Sequence, residues 1–299
     1  YKMSYEVNTD NFDSLLNFFY DCLYGNTKYE NILVDDIKKL DINRFKLFDY
    51  DLDQIFLNAE LKLYDQMDTG IIINDEKLKS IVIKRKSNTI EDDEKKYSLI
   101  YIVEYQNDKS IDILTNPINV NMIIRTLLSE LSFTKNVPNI LNPILNIDVK
   151  GEDLLKYPIF ENNIDSNKIY SIQVTEKYAG LLNLRKYLIK YPIDCDIIES
   201  IIYQIVNILH KIKIIYAGYR NNNLIADYID CYLKVKDGKV YPELKLSNFY
   251  QSEIKYFVVN DYVKNSPDLD WRIDNVYGDL YQFLNDLWNT LSIDIKKCD

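Results

Sequence analysis

Gly218-Tyr219-Arg220-Asn221-Asn222-Asn223-Leu224 is the stretch on which the fold turns. It follows the strongest helical pattern in the chain, Asp196–Tyr216, where Ile198, Ile201, Ile202, Ile205, Ile208, Leu209, Ile212 and Ile215 recur at helical spacing. β-Branched residues are poor helix formers, so a helix this rich in isoleucine must be buried to form. Asp196 and Glu199 stand at capping-box spacing, and Gly218 is placed to end the helix. Downstream, Tyr232–Lys236 and Leu244–Leu246 read as two short strands around an Asp237-Gly238 turn, with Ser247-Asn248-Phe249-Tyr250 next. A last helix is predicted over Tyr277–Leu291, with Leu280, Phe283, Leu284, Leu287 and Leu291 apolar.

Upstream the period changes. Ser80–Lys86 and Ser98–Tyr105 are β-branched and strand-like, separated by the polar run Ser87–Lys96. Asn119–Leu131 predicts a helix, stopped by Val137-Pro138-Asn139. Ile144–Val149 and Tyr170–Thr175 predict strands, and Leu182–Ile189 a short helix. At the start, Phe12, Leu15, Leu16, Phe19 and Leu23 form a helical stripe that Thr9 or Asp10 can cap and Gly25 can close. Leu57, Leu61 and Tyr64 suggest further helix within 31–67. The expected organisation is a helical extension over 1–76, a strand-rich half over 77–176 and a helical half over 177–299.

Bulk properties exclude several classes. Net charge is -10 with a pI near 4.8, which disfavours nucleic-acid binding, and Lys84-Arg85-Lys86 is too short a basic run to reverse it. The cysteines at 22, 195, 231 and 298 are too far apart for a zinc or redox pair, and His210 is the single histidine, so no metal site is expected. The thiols read as reduced and the compartment as cytoplasmic or virion interior. No run is long and apolar enough to span a membrane, and no signal peptide is visible. The 26 tyrosines, with abundant Asn, Ile and Lys, suggest an AT-rich genome such as that of a large DNA virus or a parasite.

The 218–224 stretch resembles the catalytic loop of the protein kinase superfamily, above all the divergent kinases of poxviruses and giant DNA viruses. Leu246-Ser247-Asn248-Phe249-Tyr250 resembles their metal-binding turn, and Gln173–Gly180, with Glu176, the hinge between lobes. Asp279 resembles the helix residue behind the catalytic loop, and Glu130 with Val137–Ile140 the N-lobe helix and its exit. The resemblance covers roughly residues 77–292 and implies an α+β, bilobal kinase-like fold with an antiparallel N-lobe sheet and a truncated, mainly helical C-lobe.

Under that resemblance the catalytic chemistry is degraded. Asn223 stands where a carboxylate would orient the attacking hydroxyl, and Asn248 where a carboxylate would bind magnesium. A neutral amide takes no proton at neutral pH and is a poor magnesium ligand. Tyr228 occupies the second metal-binding position, Tyr250 replaces a turn glycine, and no glycine-rich loop occurs near Gly70. The phosphate-gripping lysine is open between two alignments: Lys84, or a preferred one in which Glu104 has replaced it. Lys84, Glu104, Glu130 and Glu176 would mark a vestigial nucleotide cleft, and Asp227 a displaced base. As plain structure, the asparagines make a polar turn, Asp227 is a solvated carboxylate and His210 a structural histidine.

The resemblance therefore implies a pseudokinase that acts as a scaffold or virion component by binding a viral or host protein, in the host cytoplasm or virion. No cofactor is expected. Two alternatives remain: an atypical active serine/threonine kinase using ATP and magnesium, or a viral assembly subunit without the kinase fold. The oligomeric state is not readable from the sequence.

Overall fold

A computed structural model describes residues 52–56, 59–73, 76–87, 97–106, 115–134, 137–177, 182–236, 238–255, 258–265 and 277–291. In chain order these form α1 (Leu52–Phe56), β1 (Ala59–Ile73), β2 (Glu76–Ser87), β3 (Tyr97–Glu104), α2 (Pro117–Thr134), β4 (Pro143–Lys150), α3 (Gly151–Leu154) and β5 (Ile169–Lys177). Then follow β6 (Leu182–Asn183), α4 (Leu184–Lys190), α5 (Cys195–Ile215), β7 (Tyr219–Arg220), β8 (Ile229–Lys236), β9 (Lys239–Leu246), β10 (Glu253–Ile254), α6 (Asp261–Asn265) and α7 (Gly278–Thr290). The fold is mixed α and β with antiparallel sheets.

The described residues divide into two compact units. The first takes the residues up to Ile123 and those from Asn142 to the end of β5, and the second takes Ile124–Leu141 and everything after β5. Ile124–Leu141 falls in the second unit although it lies within the strand-rich half expected over 77–176.

In the first unit β1-β2-β3-β5-β4 form one five-stranded antiparallel sheet. Alternation along β5 sorts its two faces. Tyr170, Ile172 and Val174 join Ile83, Ile100, Ile102, Ile147, Leu154, Tyr157 and Phe160 in one apolar core. Ser171, Gln173 and Thr175 point the other way and are also buried. Hydrogen bonds satisfy two of the three: Asn121 Nδ2 donates to Gln173 Oε1 at 2.7 Å, and Ser171 Oγ to Asn146 Oδ1 at 3.2 Å.

β1 corrects the helical reading of 1–76. Leu57, Leu61 and Tyr64 fit a helical period, yet residues 59–73 pair with β2 from Ala59↔Ser87 to Ile73↔Glu76. Register shifts between Leu63 and Asp65 and between Asp68 and Ile72 interrupt the alternation, so no period of two was visible in the sequence. The helix expected over 9–25 lies outside the described residues.

In the second unit α5 buries Ile197, Ile201, Ile205, Ile208, Leu209 and Ile212. Its N-cap is Asp194, whose side chain accepts from the Ile197 amide at 3.1 Å, rather than the expected Asp196. Asp196 instead receives a hydrogen bond from Lys239. Leu182 and Asn183, expected to be helical, pair with Cys231 and Asp230, and Asn183 then caps α4 through the Lys186 amide. Cys195 is disulfide-bonded, which corrects the expectation of reduced thiols at that position.

Gly218 does not terminate α5, whose C-cap is Tyr216. It permits a close approach instead: a Cβ there would lie 2.8 Å from the Lys255 Cβ and 2.9 Å from its amide nitrogen. Gly238 closes the β8–β9 hairpin at φ 76°, a left-handed value that glycine adopts without strain.

The Phe160 ring is fully buried and meets Phe56 edge-on at 5.2 Å. Phe160→Ala is expected to destabilise the first unit by about 3–5 kcal/mol. Urea unfolding of the variant beside the parent checks this, and an unchanged midpoint contradicts the assignment of the core.

Candidate functional site

The stretch at 219–226 is held from one helix face. α7 carries Asp279, Gln282 and Asp286 at spacings of three and four, which place all three on one side of a helix. Asp279 accepts the amides of Asn221 (3.0 and 3.1 Å) and Asn222 (2.8 Å). Gln282 accepts the Leu224 amide at 3.2 Å, and Asp286 the Ala226 amide at 2.8 Å. Four backbone donors of an irregular loop therefore find acceptors on successive turns of one helix. Such donors are costly to bury unpaired.

Asn222 adopts φ 61°, the single positive φ among the described non-glycine residues. Asparagine tolerates that conformation better than most L-residues. Its Nδ2 donates to the Gln251 carbonyl at 3.0 Å. Asn221 is the hub: its Oδ1 accepts the Asn223 amide at 3.2 Å, and its Nδ2 reaches the Asn248 carbonyl at 3.4 Å and the Tyr219 hydroxyl at 3.2 Å. Asn223 and Asn248, both half-buried, are thus brought to the same place through Asn221.

The turn that follows β9 is fixed from two sides. The Asn248 Oδ1 accepts the Tyr250 amide at 3.3 Å, and Asn260 Nδ2 donates to the carbonyls of Tyr250 and Ser252 at 2.9 and 3.0 Å. Arg125, from the part of α2 that belongs to this unit, donates to the Ser247 carbonyl. Asn139 Nδ2 donates to Leu244 at 2.9 Å, and Lys245 Nζ donates to Pro138. Tyr250 is buried, and its hydroxyl has no hydrogen-bond partner. Burial pushes that phenol up to about 12, against the opposing pull of Arg125.

The carboxylates near the loop are already engaged. Asp227 accepts from Arg185 Nε at 2.6 Å, and the same guanidinium donates to Asp286 and Thr290, each at 2.6 Å. Burial works against charge on Arg185, but Asp286 and Asp227 outweigh it and hold the guanidinium firmly protonated. Tyr228 sits half-buried after a short 3-10 turn, its amide bonded to the Ile225 carbonyl at 3.0 Å. Glu253 is shifted above the ordinary carboxylate range by burial, with Arg220 and Lys255 opposing and Asp279 adding to the shift. Among the described residues no group of three or more His, Cys, Asp or Glu side chains is arranged to hold a metal ion.

The remaining candidates fall elsewhere. Glu104 ends β3, the third strand of the chain, and pairs with Lys168 at 3.2 Å. Lys84 stands on β2 opposite Leu99, Glu176 on β5 opposite Ser98, and Glu130 on α2. His210 is exposed on α5. Sequence reading singled out Asp279 but missed Gln282, Asp286 and Arg185. The spacing of the first two on α7 was a usable signal, whereas Arg185 is found only through the tertiary fold.

No protein-family model matches the chain. It is 40% identical over 301 residues to "Uncharacterized protein R402" of Acanthamoeba polyphaga mimivirus, an alignment covering 99% of this chain and 37% of that protein. The chain thus spans little more than a third of that relative's length, and the relative comes from a giant virus, one class of source that the composition suggested. Among solved structures, the WaaP chain of a complex with acyl carrier protein is 9% identical, with a TM-score of 0.39, covering 80% of this chain and 76% of that one. A TM-score at that level assigns no fold. No helix among the described residues is long and apolar enough to cross a membrane.

Asp279→Ala would leave the buried amides of Asn221 and Asn222 without acceptors, and is expected to cost about 2–4 kcal/mol in urea unfolding. A loss below 1 kcal/mol would sink this account of the loop. Because Glu253 binds its proton more tightly folded than unfolded, its contribution to stability falls as pH rises from the ordinary carboxylate range through its raised value. Glu253→Gln is therefore expected to raise the melting temperature at pH 7 and leave it unchanged at pH 3. A lowered value at pH 7 would show that Arg220 dominates.

Proposed function

We propose that this chain is a kinase-like domain that no longer transfers phosphate and acts by binding another protein. One observation carries the reading: at the loop that resembles a catalytic loop, amides occupy the places of the expected acids, and the carboxylates that remain are spent on structure. The Asn221 side chain bonds the backbone amide of Asn223 and the backbone carbonyl of Asn248, while Asp279 is bonded to two backbone amides and Asp227 and Asp286 to Arg185.

Phosphate transfer depends on metal ions and on a carboxylate that orients the nucleophile, and loss of such charge typically costs a factor of about 100 or more in rate. Neutral amides supply neither the charge nor the proton acceptor. The order of elements supports the family reading: five antiparallel strands with a helix between the third and fourth, then a long helix, the loop, a strand pair, the Asn248 turn and α7. Glu104 on the third strand supports the alignment in which the phosphate-gripping lysine is absent.

The active-kinase alternative would need Asp227 as base. Its carboxylate is bonded at 2.6 Å to Arg185, which it shares with Asp286, so it is already engaged in holding the fold. A protein partner suits the acidic chain better than nucleic acid does. As the chain covers 37% of its mimivirus relative, the proposal extends to this domain's part in a longer protein, with the cytoplasm or virion as its place of work.

Titration of the purified chain with ATP, with and without magnesium, and a phosphotransfer assay on protein substrates test the proposal. The expected outcome is no transfer above background and no magnesium-dependent gain in ATP affinity. Robust transfer that disappears in Asn223→Ala would overturn it.

A further inference from the structure

We draw no further inference here: the strongest candidate, the stripe of exposed apolar side chains that Tyr277, Tyr281, Leu284 and Trp288 make along α7, is a helix face, and nothing in the structure shows what covers it.

Discussion

The second unit is organised around one electrostatic requirement: the backbone amides of an irregular, buried loop need acceptors. Asp279 supplies them to Asn221 and Asn222, and Gln282 and Asp286 continue the service to Leu224 and Ala226. No other arrangement of a short helix could reach four amides along a loop, because only residues three and four apart share a helix face. The left-handed turn at Asn222 follows, since it lets two consecutive amides converge on the same carboxylate.

This division of labour shapes what the site can do. The carboxylates of Asp279, Asp227 and Asp286 are bonded to backbone amides or to a guanidinium, and the side chains of Asn221, Asn222 and Asn223 are neutral. The groups with most leverage are the cations Arg125, Arg185 and Arg220, all at least half-buried and all bonded to backbone or carboxylate oxygens. Arg125 and Asn139 tie 124–141 to β9 and the turn after it, so the C-terminal part of α2 belongs structurally with the loop rather than with the sheet that precedes it in sequence.

How far the sequence could be read tracks the strength of its periodic signals. The isoleucine repeat of α5, the β-branched run of β2 and β3 and the apolar face of α7 were legible because each element concentrates apolar residues at its buried positions. β1 was not, because its bulges break the alternation on which strand recognition depends. The caps were misplaced by two residues each: Asp194 rather than Asp196 for α5, and Tyr216 rather than Gly218 at its end. Several oxygen-bearing residues stand near each terminus, and only tertiary packing chooses among them. At the candidate site Asn223, Asn248 and Asp279 were visible in the sequence. The Arg185 hub was not, because its partners at 227, 286 and 290 lie at least 42 positions away and no local pattern joins them.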